Sequence, residues 1–290
     1  MNKIRNLILI PNTKKNIDGE KLGEIINRLA AHGVKISVFP KEAEITAEYS
    51  SSVRIISDGD DLSAFDAALV LGGDGSIIVA KRRLIGYDIP IIGINFGHIG
   101  YLTALEESEL SLIDNLVAGE YTIEERMMLD ATVTDETGVE KAAYTVLNDV
   151  VLTNGPVARM ISFDLFCDGM TVETLRADGV IAATPTGSTA YSLSAGGPIL
   201  DPSLEAICVT PICPHTLSSR PIIFRGGSQI TISNFNCNRS DVYLNGDGRD
   251  PIKIEENDTV VIRRSAHTMK LIRIKNAGFI SVLHTKLAEK

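Results

Sequence analysis

Apolar residues in the amino-terminal part of the chain alternate between two textures. Segments rich in apolar residues at 4–10, 34–39, 53–56, 67–71 and 89–94 have the length of strands, and 67–71 is apolar throughout. Between the first two, Ile17, Leu22, Ile25, Ile26 and Leu29 recur at helical spacing, and Gly33 stands where a helix ends in a left-handed residue. A second helix is expected from Ser76 as its cap, with Ile77, Ile78, Val79 and Leu84 as apolar positions, and a third over 106–118. Strand, helix and strand at this spacing predict a parallel sheet flanked by helices. Ligands of such sheets gather at the carboxyl ends of the strands.

From residue 121 onward the pattern changes to strand-like alternation. Runs at 129–134, 144–152, 161–166, 171–175, 222–224, 229–232, 260–263 and 269–274 predict a β-rich second half. Asp168-Gly169 is a hairpin signal, and Asn245-Gly246-Asp247-Gly248 is a second tight-turn cluster. A helical pattern over 279–287 is expected to pack back on the first domain. The expected division is an α/β domain over 1–120, a β-rich domain over 121–273 and a terminal segment over 274–290. No repeat or low-complexity segment interrupts it.

Composition narrows the functional classes. With 44% hydrophobic and 22% charged residues, the 290-residue chain can bury full cores. A net charge of −9 disfavours a nucleic-acid-binding surface. Cys167, Cys208, Cys213 and Cys237 lack C-x-x-C spacing, and His215 is the only histidine near any of them in sequence, so a zinc site is not expected, and no residue is assigned as a dedicated metal ligand. The first apolar run is too short for a signal peptide, and no stretch of 18 uninterrupted apolar residues follows. A cytoplasmic protein without membrane association is the expectation.

Candidate chemistry concentrates at three places. Residues 69–76 read Leu-Val-Leu-Gly-Gly-Asp-Gly-Ser, so a strand delivers Gly72, Gly73 and Gly75 to the sheet's carboxyl end, where backbone amides can approach a phosphate. Asp74 is the one side chain there able to take a proton from a hydroxyl or carry charge for Mg²⁺, as phosphoryl transfer requires. A second glycine-bearing loop, Asn95-Phe96-Gly97-His98-Ile99-Gly100-Tyr101-Leu102, is expected beside the first, with His98 in a structural role. The third place runs from Arg176 through Asp178-Gly179 to Pro198. Its hydroxyls alternate with small residues, which suits a flat polar ligand, and Tyr191 offers either a stacking ring or a core side chain. The basic run Lys81, Arg82, Arg83 reads as a solvated helix face.

Together with Asn148-Asp149 and Gly246-Asp247-Gly248, these motifs resemble the bacterial type of the NAD kinase family, along nearly the whole chain. The resemblance implies a two-domain architecture, a Rossmann- or flavodoxin-like parallel sheet followed by a β-rich NAD-binding domain. It implies transfer of phosphate from ATP, with Mg²⁺ or another divalent cation, to the adenosine-ribose 2′-hydroxyl of NAD, giving NADP. In that scheme Asp74 is the general base and also meets NAD with Gly75, while Gly72, Gly73, Gly75 and Ser76 receive the phosphates of ATP. Asn148 and Asp149 hold adenine and ribose, Thr189, Ala190, Tyr191, Ser192 and Ser194 line the pocket, Asp178 meets the nicotinamide end, and Arg159 and Arg176 lie near the dinucleotide. It also implies a homodimer or homotetramer with shared sites.

Three positions depart from the commonest family pattern. Ser76 stands for threonine, Asp149 for glutamate, and Arg249 follows Asp247-Gly248 where glutamine is frequent. Two other readings fit parts of the sequence: a lipid or diacylglycerol-type kinase sharing Gly-Gly-Asp-Gly, and a non-catalytic dinucleotide-binding regulator. A hydride-transferring dehydrogenase fits poorly, because Pro11-Asn12-Thr13 follows the first strand and no G-x-G-x-x-G opens the first helix.

Overall fold

The computed structural model describes residues 3–13, 17–57, 59–97, 100–156, 159–236, 241–275 and 279–288, with backbone alone at 286 and 287. It divides into two compact units, 1–125 with 269–290, and 126–268.

The first unit is built on strands β1 (Asn6–Pro11), β2 (Lys35–Val38), β3 (Val53–Ile55), β4 (Ala67–Leu71) and β5 (Ile91–Asn95), which pair in parallel in the order β3-β2-β1-β4-β5. All five residues of β4 and all five of β5 are buried, as strands covered on both faces must be. A two-residue strand, β6 (Leu105–Glu106), pairs with β5 in the same sense. Helix α1 (Gly19–Ala31) buries Leu22, Ile25, Ile26 and Leu29 against this sheet; Asp18 caps its first turn by accepting from Glu20 N, and Gly33 follows at φ +73°. Helix α2 is Asp74–Arg83 and α3 is Ile113–Ala118. Leu271 pairs in parallel with Ile91, which returns the far end of the chain to this sheet.

In the second unit the strands are β7 (Thr122–Thr134), β8 (Glu140–Val146), β9 (Asp149–Asn154), β10 (Ile161–Cys167), β11 (Met170–Ala177), β12 (Gly179–Ala183), β13 (Ala206–Ile212), β14 (Ile222–Arg225), β15 (Ile230–Ser233), β16 (Val242–Gly246), β17 (Ile252–Ile254) and β18 (Thr259–Arg273). Between β12 and β13 lies one helical turn, α4 (Tyr191–Ser194). One sheet runs β14-β13-β12-β9-β16-β17, antiparallel throughout. Another joins β11, β10, β15 and β18, with β7 against β18 and β8 against β7. Leu129, Val146, Phe163 and Val260 from one sheet and Leu152, Val180, Val209 and Leu244 from the other share one apolar core. The chain closes with α5 (Phe279–Ala288).

Several elements differ from the pattern-based expectation. Residues 144–152 form two strands, because the carboxylate of Asp247 collects the consecutive amides of Leu147, Asn148 and Asp149 at 2.7, 2.8 and 3.3 Å and breaks the extended run. Conversely, 260–263 and 269–274 belong to one strand, β18, whose polar middle leaves Arg263, Arg264, Ala266 and His267 exposed without leaving the extended conformation. The helix expected over 106–118 is a tight 3₁₀ stretch, Glu107–Leu112, leading into α3. The unit boundaries fall at 125/126 and 268/269 rather than 120/121 and 273/274, since the end of β18 pairs with β5.

Candidate active site

Gly73 is the N-cap of α2 and Asp74 its first residue, so the acid stands at the positive end of a ten-residue helix. Ser76 is therefore not the cap. It lies one turn in, where its hydroxyl accepts from Asn12 Nδ2 at 2.8 Å. The Gly72 amide is also committed elsewhere, donating to the Ile94 carbonyl at 2.9 Å as an extension of the sheet. That removes Gly72 as a phosphate donor, and Ser76 N is likewise engaged, donating to the Gly73 carbonyl at 2.9 Å; within the first helical turn the Gly75 amide is left to meet a phosphate. Gly75 faces open space: among the described residues, nothing lies within 4 Å of the point where a Cβ would stand.

The second glycine loop does lie beside the first, because β4 and β5 are adjacent and parallel. Asp74 Oδ2 accepts from Tyr101 N and Oδ1 from Leu102 N, both at 2.9 Å. Gly100 is required by that approach: a Cβ there would stand 2.3 Å from Asp74 Oδ1 and 2.6 Å from Thr103 Oγ1. Burial, and then the charge of Asp74, push the Tyr101 hydroxyl above its ordinary value. His98 lies outside the described residues. At the end of β5, Asn95 donates to Glu106 Oε2 at 2.9 Å and to the Gly97 carbonyl at 3.1 Å. Burial raises the Glu106 carboxyl, an effect that the Asn95 amide partly offsets. Asn95, Gly97 and Glu106 border a cavity of 430 Å³.

The basic run on α2 is not a solvated face. Lys81 is buried, and desolvation lowers its ammonium below the usual lysine range. Arg83 forms a two-pronged pair with the buried Glu42 at 2.5 and 3.0 Å, its guanidinium 3.9 Å from the Phe39 ring centroid.

In the second unit, Asp149, Tyr191, Tyr243, Asn245 and Gly248 are among the residues lining a cavity of 860 Å³. Asp149 is buried, and its carboxyl is pushed up to about 7 by desolvation first and the charge of Asp247 second, against a hydrogen bond from the Tyr191 amide. Burial likewise raises Asp247, against the three amides it collects and the charge of Arg249. Asp247 adopts φ +49°, the left-handed turn that aims its carboxylate at those amides. Tyr191 is 45% exposed, so its ring faces the cavity rather than the core. Arg249 reaches over the Tyr144 ring and donates to the Thr145 carbonyl at 2.8 Å.

The hydroxyl-rich stretch folds as a loop fastened by its own side chains. Thr184 Oγ1 donates to the Leu147 carbonyl at 2.6 Å and accepts from Gly187 N at 3.0 Å, while Ser188 Oγ accepts from Leu200 N at 2.9 Å. Gly187 passes so close to Asn148 that a Cβ would lie 2.0 Å from its carbonyl oxygen. Asn148 and the loop are thereby brought together. Thr189 and Ala190 are half-buried beside Tyr191, and Ser194 is exposed. Ser192 points inward to Thr210 Oγ1 at 3.0 Å and is absent from the cavity lining. Asp178 accepts from Asn154 Nδ2 at 3.2 Å, and the same amide donates to the Arg159 carbonyl at 3.2 Å. Arg159 and Arg176 are exposed, and neither lines the cavity.

Sequence reasoning missed Asp247 as a residue holding the site, although its Gly-Asp-Gly setting was the available signal. It also missed Arg126, buried with Nη1 3.3 Å from Thr186 Oγ1; a lone cation opening the run Met127-Met128-Leu129 was the clue. Cys167, Cys208 and Cys213 are free thiols, and Cys237 lies outside the described residues.

An acid-bearing glycine loop at the carboxyl ends of parallel strands, in a chain that also carries a tyrosine-flanked polar cavity, defines a nucleotide-binding protein of the α/β class. Comparison with known proteins narrows the class. Residues 12–121 match the model of the ATP-NAD kinase N-terminal domain, and 147–274 that of the ATP-NAD kinase C-terminal domain. The chain is 41% identical over 266 residues to the NAD kinase of Symbiobacterium thermophilum, spanning 91% of this chain and 92% of that one. It is 44% identical over 265 residues to the NAD kinase of Geobacter sulfurreducens, spanning 91% of each. Among solved structures, yeast NADH kinase complexed with NADH superposes with a TM-score of 0.86 at 25% identity, covering 99% of this chain and 88% of that one. An NAD kinase from Archaeoglobus fulgidus in complex with ATP shares the fold, with a TM-score of 0.73 at 23% identity and coverage of 98% and 99%. The chain belongs to the NAD kinase family.

Proposed function

We propose that the chain phosphorylates the adenosine-ribose 2′-hydroxyl of NAD at the expense of ATP, forming NADP, with Asp74 as the general base. The observation that carries the role of Asp74 is its setting. It is the sole carboxylate on the Gly72–Ser76 loop, at a helix N-terminus, with each oxygen accepting from a backbone amide. A carboxylate oxygen has capacity for more than one hydrogen bond, so both remain able to accept from a hydroxyl. A ribose hydroxyl is a poor nucleophile until its proton has a destination, and general-base help of this kind contributes about 10²–10⁴-fold in rate.

Asp149 accepts from ribose hydroxyls when ionised, and Tyr191 and Tyr243, which line the same 860 Å³ cavity, offer rings for a base to stack on. The Gly75 amide, in the first turn of α2, receives a phosphate oxygen of ATP. A divalent cation bound with ATP would supply positive charge to the phosphate oxygens, and the Asp74 carboxylate is the group on the glycine loop that could face it. Asp178, with Arg159 and Arg176, contacts the more distant parts of the dinucleotide. Family membership leaves the lipid kinase without support. The family resemblance also supports a cytoplasmic homodimer or homotetramer, which light scattering of the purified protein tests.

The decisive assay follows NADP formation from NAD, ATP and Mg²⁺ through an NADP-specific dehydrogenase, comparing the parent chain with Asp74→Ala. Turnover is expected to fall by at least about 10²-fold in the variant, with NAD binding retained. Tight NAD binding by the parent chain without any NADP would support the non-catalytic regulator.

A further inference from the structure

The loop that holds Asp74 is itself held by a side chain from the far end of the sequence. Arg273, the last residue of β18, donates from Nη2 to the Tyr101 carbonyl at 3.1 Å and from Nη1 to the carbonyls of Leu102 and Thr103 at 3.1 and 2.9 Å. Its Nε donates to Glu124 Oε2 of β7 at 2.8 Å, which sets the plane of the guanidinium from behind. One cation thus occupies three consecutive carbonyls.

Two of those residues are the ones whose amides reach Asp74. The peptide group between Tyr101 and Leu102 has its oxygen on Arg273 and its N–H on Asp74 Oδ1. A cation at the oxygen end of a peptide polarises the N–H at the other end, and hydrogen bonds in such a chain strengthen one another. With the Arg273 side chain only 19% exposed, water screens this arrangement weakly. The geometry also excludes rotation of that peptide, because turning its N–H away from Asp74 would break the bond to the guanidinium.

We infer that Arg273 is a positioning residue for catalysis: through the Tyr101–Leu102 peptide it fixes the orientation of the Asp74 carboxylate toward the attacking hydroxyl. The inference rests on Asp74 being the general base. The hydrogen bonds of Arg273 go to the three loop carbonyls and to Glu124, so its removal is expected to act on the chemical step and not on NAD binding. Lysine keeps the charge but lacks the planar fork that spans several carbonyls.

The test measures kcat, KM for NAD and for ATP, and thermal midpoint for the parent, Asp74→Ala, Arg273→Met, Arg273→Lys and Glu124→Gln. Arg273→Met is expected to lower kcat by about 10–100-fold with both KM values within about threefold, the pattern of a misplaced catalytic group. Arg273→Lys should recover part of that loss, and Glu124→Gln should show a smaller loss of kcat in the same direction. Should Arg273→Met fail to fold, these last two carry the test. Parent-like kcat in the folded Arg273 and Glu124 variants, or a rise in KM at constant kcat, overturns the inference while Asp74→Ala remains inactive. Parent-like turnover by Asp74→Ala overturns the general-base reading, and this inference with it.

Discussion

Asp149 shows how much a single buried acid can couple the site to solution conditions. In the unfolded chain its ordinary value is 3.8, and burial followed by the Asp247 charge moves it to about 7 in the fold. Between these values the folded state keeps a proton that the unfolded state has released. Stability from this group is therefore fully present below about pH 4 and is lost as pH rises toward 7, with no further change above. The loss is on the order of a few kcal/mol, shared with Asp247 because the two acids titrate together. Thermal midpoints of the unliganded parent and Asp149→Asn, compared from pH 5 to 8, should differ in slope: the midpoint of the variant should fall less, or rise, as pH increases. Parallel curves would show that Asp149 carries no such proton. Asp74 and Asp149 were both legible in the sequence, since each sits in a short motif whose residue types suit its task. Asp247 and Arg273 were harder to read because each acts on a backbone stretch remote in sequence, Asp247 on an amide 99 residues earlier and Arg273 on a carbonyl 172 residues earlier.

At the scale of elements, α2 illustrates where pattern reading fails. A basic run in its last turn complements the helix dipole, which the sequence could suggest. What the sequence could not suggest is that Lys81 is buried within reach of the charges of Asp88 and Lys270, or that Arg83 closes on Glu42 from the turn after β2, because Lys270 and Glu42 are remote in sequence. Glu42 is 2% exposed, so removing Arg83 leaves an uncompensated buried carboxylate. Arg83→Met should destabilise by about 3 kcal/mol, read from urea unfolding at pH 7. The double variant with Glu42→Met should recover most of that loss, since replacing both charges removes the desolvation problem. A double variant as unstable as Arg83→Met would assign the effect to lost packing on Phe39. The same distinction explains β8 and β9. Their residues alternate as one strand, and only the acid arriving from the turn after β16 makes them two.

For the whole molecule, strand texture alone separated the α/β part from the β-rich part, because a parallel sheet buried on both faces and an antiparallel sandwich impose different periods on the chain. The exact boundaries escaped, since β7 and β18 each pass from one unit to the other as a single extended strand. This organisation separates two capacities. The glycine loop, Asp74 and Arg273 belong to the unit formed by 1–125 and 269–290, whereas every residue lining the 860 Å³ cavity belongs to 126–268. The second unit is continuous in sequence and has its own apolar core drawn from two sheets. Expressed alone, residues 126–268 should therefore melt cooperatively and bind NAD in the millimolar range or tighter, detected by perturbation of Tyr191 and Tyr243 signals in NMR titration. The same piece should form no NADP, because it lacks Asp74 and the Gly75 amide of α2. Cooperative melting without NAD binding would place dinucleotide recognition outside the tyrosine-flanked cavity and remove Asp149 from its ribose role, leaving the general-base assignment of Asp74 untouched.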